Sequence, residues 1–350
     1  MSMNSLERLS FIDILKIIST FAIVLLHVSA IYVRMDAQPL NPSGALPYII
    51  NALARTALPL FMMISGVLLL RDRYQFNLKK KFSFILKNYV LWSALYIVVD
   101  QAMRLYNGDV LLSPAEMVVS WVRGPYHFWY LQMLLGFYLL MPLLARLKGL
   151  QTLSYATLLL FIIIYIYNPL APHLPVCVQT FADQVILMNP STMLFFLLLG
   201  AWLYRVPHRP KLALAAAVAV LAGVGIRLYQ LFSTPTYQAS SALQPLNTYS
   251  ELLLAAGIFY LIAYLCRHYK SGAKIQYLSQ CTLRIYIVSA LVIFAFQVFV
   301  QPTWDVLVPW PTLTILLWSI VVFLVSWLIA HVLALKDRAW RARRDKRTSR

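Results

Sequence analysis

The sequence predicts an all-α fold: a polytopic integral membrane protein with about ten transmembrane helices and both termini in the cytoplasm. Three observations predict it: a composition poor in charge, apolar segments of membrane-spanning length, and basic residues concentrated in alternate loops. Of the 350 residues, 61% are hydrophobic and only 12% are charged, about half the share of charge in soluble domains. A soluble fold could not cover its surface with so few charges, whereas lipid tails solvate apolar side chains directly.

Apolar segments recur along the whole chain at close to the ~20 residues that span a bilayer. The third and the sixth are the weakest, because Lys87 and Asp100 lie near the ends of one and Asn189-Pro190 interrupts the other. The predicted spans are 12–33, 47–70, 83–103, 128–145, 151–170, 185–204, 211–232, 249–266, 277–300 and 311–335.

The loops between these segments alternate in charge. If the N-terminus is inside, every inner loop is basic, as cytoplasmic loops usually are. We therefore interpret residues 1–350 as one membrane domain with a basic cytoplasmic tail at 336–350. Anionic membrane lipids account for the net charge of +18, so we expect no nucleic-acid partner. The outer loops hold only four basic residues, Arg34, Arg104, Arg123 and Arg227.

The first helix carries polar residues along one face. Asp13, Lys16, Thr20 and His27 lie within roughly 60° of one another on a helical wheel. One interpretation is structural: an Asp13–Lys16 pair at i, i+3 and a hydrogen-bonded core histidine. The other is functional, because ionisable residues inside a membrane are costly and usually mark a site. The alignment of the four residues favours the functional interpretation.

The second helix and the loop after it hold further candidates. Arg55 either snorkels to the outer headgroups or serves a site inside the membrane. Gly66 is small enough to allow close helix packing. On the cytoplasmic side, Arg71 and Arg73 precede the basic run 79–81. They are either ordinary inner-loop charge or a site for a phosphorylated ligand, which Arg binds through two parallel hydrogen bonds.

The fourth helix opens with an aromatic segment, Pro125 to Tyr130. Aromatic residues at the outer end of a span usually form an interfacial belt, but Trp129 and Tyr130 could also stack on a sugar ring. His127 is predicted at the level of His27 and could join it. Glu251 is expected to sit at a helix N-terminus, where the helix dipole favours a carboxylate. The sequence shows no metal site.

Four segments resemble motifs of the membrane acyltransferase-3 family, in the same order and with the same topology. The family's first-helix signature usually has arginine where Lys16 stands, and many members have a second histidine where Ser289 stands. The four segments are Asp13-Ile14-Leu15-Lys16 through His27, Pro59-Leu60-Phe61 leading to Ile64-Ser65-Gly66, His127-Phe128-Trp129-Tyr130-Leu131 followed by Pro142, and Leu278-Ser279 through Tyr286.

The resemblance implies an enzyme of the bacterial inner membrane that moves acetyl groups from acetyl-CoA to hydroxyls of a lipid-linked or surface glycan. His27 is then the general base or a covalent acyl carrier, and His127 is the second catalytic candidate. Lys16, Arg71 and Arg73 would bind the phosphates of acyl-CoA. The acceptor would lie near Arg55 and the aromatic residues 129 and 130.

Two rival functions stay open. Ten spans with an intramembrane histidine also suit a proton-coupled transporter or flippase, although the ionisable residues concentrate in the first two helices and no internal repeat is visible. The serine at position 289 would also suit an acyltransferase-like protein without catalysis. The sequence does not identify the acceptor glycan or the oligomeric state. A homo-oligomer is one of the possible states.

Overall fold

A computed structural model describes residues 8–35, 45–71, 78–173, 192–233, 248–301, 303 and 310–348. Secondary structure in these ranges is helical, without a strand. A π-helical stretch, Ile162–Tyr167, follows α7. The α-helices longer than one turn are α1 (Ser10–Met35), α2 (Leu46–Ala54), α3 (Ala57–Leu70), α4 (Leu78–Asn107), α5 (Pro114–Arg123), α6 (Trp129–Leu144), α7 (Leu150–Phe161), α8 (Thr192–Leu203), α9 (Pro210–Phe232), α10 (Tyr249–Leu265), α11 (Ala273–Phe299) and α12 (Pro311–Thr348).

The predicted fold class is confirmed. Eight helical segments are long and apolar enough to cross a membrane, and α8 and α10 are shorter apolar helices. These segments fall on the ten predicted spans, although residues 185–191 of the sixth span lie outside the described ranges. The exact number of crossings and the side of each terminus stay predictions.

The second predicted span consists of two helices, α2 and α3, with a tight turn between them. Pro59 has no backbone N–H, so it cannot donate the usual helical hydrogen bond to the carbonyl of Arg55. That carbonyl accepts from the N–H of Leu58 instead, at 3.0 Å. The proline therefore places Arg55 at a helix break within the span.

The chain forms two compact units. Unit 1 comprises Met1–Asp72 and Leu147–Arg350, and unit 2 comprises Arg73–Arg146.

Within unit 1, α3 and α8 approach most closely at two glycines. A Cβ on Gly66 would lie 1.8 Å from the carbonyl oxygen of Leu197, and one on Gly200 would lie 2.3 Å from Cα of Met63. This pairing shows that the helices run antiparallel. The packing role predicted for Gly66 is confirmed, because only a residue without a side chain fits there.

A second antiparallel pair in unit 1, α9 and α10, also meets at glycines. A Cβ on Gly223 would lie 3.0 Å from the carbonyl oxygen of Ser250, and one on Gly257 would lie 2.8 Å from that of Ala216. The close approach near Gly223 brings the end of α9 against the start of α10.

Helix α1 packs within unit 1 against α2, α3, α11 and α12. Val24 and Val28 share a buried apolar cluster with Ile293 of α11 and Trp318 of α12. Burial of these side chains fixes the rotation of α1 about its axis, and with it the direction of the residues between them.

Candidate active site

An ion pair anchors the N-terminal end of α1. Arg8 donates two hydrogen bonds of 2.8 Å to the carboxylate of Asp13. Ser271, in the turn before α11, donates a third at 2.8 Å. Asp13 is buried, so these charge-assisted bonds replace the water that it loses. The interpretation of Asp13 as the partner of Lys16 misses both Arg8 and Ser271.

Lys16 and Thr20, in the middle of the predicted polar face of α1, differ in their surroundings. Thr20 is buried, and its hydroxyl donates to the carbonyl of Lys16 in its own helix at 2.7 Å. Lys16 itself is half-buried. Asp13 and Thr20 thus serve the structure of α1, and Lys16 and His27 are the remaining candidates on this face.

His27 is half-buried on a turn of α1 that α2 holds in place. Asn51 of α2 donates to the carbonyl of Leu26 at 3.1 Å and to the hydroxyl of Ser29 at 3.0 Å. Asn51 is completely buried, and a buried amide without these partners would be costly. The imidazole of His27 is therefore carried on a backbone segment fixed by side-chain hydrogen bonds.

Arg55 lies one turn after Asn51 on the same face of α2, because residues four apart are neighbours on a helix. Its side chain is half-buried, and its Nε is enclosed without a hydrogen-bond partner among the described residues. It lies within electrostatic range of Glu251. The structure thus brings Arg55 to a buried carboxylate, which favours its interpretation as a site residue over snorkelling to headgroups.

Glu251 forms a buried ion pair with Arg227 that the sequence analysis missed. Arg227 Nη2 donates to Glu251 Oε2, and the two residues are 1% and 0% exposed. The sequence had assigned Arg227 to the outer charges and Glu251 to a helix dipole. The pair could have been predicted from the sequence, because it places two opposite charges in consecutive apolar helices.

Further polar groups surround this pair. Arg227 Nε and Glu251 Oε1 have no hydrogen-bond partner within the described ranges. Gln230 accepts from Ser250 at 3.2 Å, and the hydroxyl of Thr56 is also buried. Buried polar atoms usually find partners. Thr56 lies within hydrogen-bonding reach of Glu251, so these groups form one buried polar cluster around the ion pair.

Unit 2 contains His127, the second catalytic candidate. Its helices are α4, α5 and α6, and Gly124 ends α5 with φ of +70°, where a Cβ would lie 2.6 Å from the hydroxyl of Tyr89. Tyr89 donates to the carbonyl of Val122 at 2.7 Å and accepts from Gln132 at 2.7 Å. These bonds fix the turn that leads to Tyr126–Phe128, a 3-10 turn.

His127, in this turn, is buried, and its Nε2 lies 3.2 Å from the hydroxyl of Tyr96. The rings of Tyr96 and Phe128 meet it edge to face at 5.1 and 4.7 Å. Trp129 is exposed and Tyr130 is half-buried. The exposure of Trp129 suits either an interfacial anchor or contact with a sugar.

At the predicted cytoplasmic end of α3, Arg71 is half-buried. Arg205 donates to the carbonyl of Leu70 at 2.7 Å and to that of Ala201 at 2.9 Å, so it caps α3 beside Arg71. Arg73 lies outside the described residues.

Ser289, in the position where many family members have histidine, is buried in α11. Its hydroxyl donates to the carbonyl of Tyr286 at 3.0 Å. This bond satisfies the serine within its own helix, so it has the role of a packing residue.

The fold and these residues define a multi-pass helical membrane protein with polar groups enclosed inside one helical unit. Comparison with known protein families gives a match to the acyltransferase-3 model, an acyltransferase domain, over residues 9–331. The chain belongs to the acyltransferase-3 family and is a membrane acyltransferase. Neither the curated proteins nor the solved structures contain a significant match.

Proposed function

We propose that this membrane acyltransferase moves an acetyl group from cytoplasmic acetyl-CoA to a hydroxyl of a lipid-linked or surface glycan, in the bacterial inner membrane. The observation that carries the proposal is the position of His27. It is a half-buried histidine on a turn of α1 held by two hydrogen bonds from Asn51. In length and motif wording the chain also resembles the enterobacterial common antigen O-acetyltransferase and related surface-glycan enzymes.

In the first version of the reaction, His27 acts as general base. It takes the proton of the acceptor hydroxyl while the hydroxyl oxygen attacks the thioester carbonyl. The carbon–sulfur bond then breaks, and the CoA thiolate leaves and takes the proton from the imidazolium. The products are an acetyl ester and CoA. An imidazole suits this role because its pKa lies near neutrality.

In the second version, His27 is a covalent carrier. An imidazole nitrogen attacks the thioester and releases CoA as its thiol, which leaves an acetyl-imidazole. The acceptor hydroxyl then displaces the imidazole and gives up its proton. Both versions develop negative charge on the carbonyl oxygen, and Arg55, one helical turn from Asn51, is the proposed stabilising cation. His127, Trp129 and Tyr130 are proposed to contact the acceptor sugar.

A transporter is the second candidate, and one observation favours it. Arg227 and Glu251 add a buried ion pair on α9 and α10, so ionisable groups are less confined to the first two spans than the sequence suggested. Such groups occur along proton and substrate pathways. Membership of an acyltransferase family weighs against this candidate.

The deciding experiment uses the purified full-length protein in liposomes, with acetyl-labelled acetyl-CoA and a lipid-linked glycan fraction. We expect alkali-labile label in the glycan. Label trapped on the protein without acceptor would identify the covalent version. Accumulation of unmodified substrate driven by a proton gradient, with no acetylated product, would replace the enzyme by the transporter.

A further inference from the structure

A cavity of about 400 Å³ opens in unit 1 between the start of α1, the turn after α8 and the turn after α10. This volume is within the range of small-molecule sites. All three segments lie at the end predicted to be cytoplasmic. The lining residues named for it include no acid, and its basic residues are Arg8, His208, Arg267, His268 and Lys270.

The histidine at position 208 is held toward this cavity by its neighbours. Tyr260 donates to the carbonyl of Pro207 at 2.6 Å and accepts from the N–H of Arg209 at 3.1 Å. Nε2 of His208 is buried and has no hydrogen-bond partner among the described residues. Burial, and then the positive charge of Arg267, lower the pKa of His208. The lowered pKa favours the neutral imidazole, which can donate one N–H without adding a charge.

The cations around the cavity differ in how far they are neutralised. Arg8 is already paired with Asp13. Arg267 donates to the carbonyl of Tyr264 at 2.8 Å and lies over the tyrosine ring at 4.0 Å. Neither of these two contacts supplies a negative charge. Lys270 is exposed. The positive potential of the cavity thus comes chiefly from Arg267 and Lys270.

Aromatic side chains also line the cavity. Tyr204 stacks on Phe11, with ring centroids 6.1 Å apart and planes at 18°, and Tyr269 is exposed in the turn after α10. A ligand that carries phosphates and a planar base would match this combination of cations and aromatic rings.

We propose that this cavity binds the nucleotide end of the acyl-CoA donor, with Arg267 and Lys270 on its phosphates. The proposal rests on the donor assigned under the proposed function. It places the phosphates at other residues than Lys16, Arg71 and Arg73, to which the sequence assigned them. Phe11 and His27 are ~24 Å apart along α1, so the pantetheine arm would extend from the cavity toward the histidine.

The test measures binding of adenosine 3′,5′-bisphosphate, the nucleotide alone, to the full-length protein in nanodiscs of zwitterionic lipid. We expect the variant Arg267→Gln/Lys270→Gln to raise the Kd tenfold or more, because it removes two charge-assisted contacts. The matched control is Arg209→Gln/Lys211→Gln. It removes the same charge from two exposed positions at the start of α9, at the same end of the protein, and neither residue lines the cavity. Its Kd should stay within about twofold of the native value.

Equal weakening in both double variants, or none in either, overturns the proposal. So does a native protein that binds no nucleotide but retains anionic lipid through Arg267 and Lys270, since the occupant is then a headgroup. Acetyl transfer is measured on the same samples. Transfer with an unchanged KM for acetyl-CoA in Arg267→Gln/Lys270→Gln rejects this site alone. Nucleotide binding at the cavity without any transfer rejects the proposed reaction and keeps the site.

Discussion

The side-chain amide of Asn51 donates a hydrogen bond to the backbone carbonyl of Leu26, 3.1 Å away. A second bond, to Ser29, spans the same turn of α1. His27 follows Leu26 directly, so α2 fixes the backbone that carries the histidine. This arrangement suits a group that must keep its place while its ring changes protonation.

We expect His27→Gln to lower the rate of acetyl transfer by about 10²–10⁴-fold. Glutamine keeps hydrogen-bonding capacity but cannot take a proton or carry an acyl group. The matched control is His331→Gln, since His331 lies 2.7 Å from the hydroxyl of Tyr277 and has no assigned role in the reaction. Rates and thermal unfolding are measured together. Near-native turnover in folded His27→Gln protein would remove His27 from catalysis and leave His127 as the candidate.

The double variant Arg71→Ala/Arg73→Ala tests the donor contacts predicted from sequence. If both side chains bind phosphate, the KM for acetyl-CoA should rise roughly tenfold or more while that for the glycan changes little. Lys79→Ala/Lys87→Ala removes two exposed charges that follow in the sequence and controls for charge alone. An equal KM in the two double variants would reduce Arg71 and Arg73 to topology signals.

Glu251→Gln should destabilise the protein by about 3–5 kcal/mol, because it leaves the charge of Arg227 buried and unpaired. The control is the exposed ion pair of Asp100 and Arg104, in which Arg104 Nε lies 2.8 Å from Asp100 Oδ2. Asp100→Asn should lower the free energy of unfolding by about 1 kcal/mol or less.

Replacing both members of the buried pair, as Arg227→Met/Glu251→Met, should restore most of the stability lost in Glu251→Gln. Unfolding in detergent micelles with increasing denaturant measures these differences. A double variant that retains stability but loses acetyl transfer would give the pair a role in the site. Equal losses in Glu251→Gln and Asp100→Asn would contradict the burial.

Gly66→Ala should destabilise the protein by about 1–3 kcal/mol, the usual cost of overpacking. The new methyl group would lie 1.8 Å from a backbone oxygen of α8, which cannot move without shifting the helix. Gly136→Ala is the control, since a Cβ there meets nothing within 4 Å. It should be neutral or slightly stabilising, because alanine favours helices. Thermal unfolding compares the two, and equal midpoints would contradict the close contact of α3 and α8.

The predicted orientation is tested with a reporter that is active only in the periplasm. Fused after Arg350 it should be silent, and inserted near Asp109 it should be active, because basic loops stay in the cytoplasm. The same reporter inserted near Lys274, in another loop predicted to be cytoplasmic, should also be silent. Reporter activity at the C-terminus would show that the predicted orientation is wrong. The proposed acyl-CoA site would then face the periplasm and not the cytoplasm.

The sequence by itself determined the fold class and the positions of the apolar segments. Hydrophobicity is a property of each segment, and a helix in lipid satisfies its own backbone, so no long-range information was needed. Gly66 was recognised for the same reason, since the absence of a side chain is visible locally. Candidate residues such as His27 and Arg55 also stood out, because polar groups are rare in apolar segments.

Only the tertiary structure decided which polar groups meet. Asp13 bonds Arg8 nearby and Ser271 from a distant turn, and Arg227 pairs with Glu251 of the next helix. The rotation of each helix and the register between helices select these partners. Both depend on close packing at positions such as Gly223, which summed local preferences do not specify. A charge in an apolar helix predicts that an opposite charge or a hydrogen-bond partner lies beside it. The packing of the helices determines which residue is that partner.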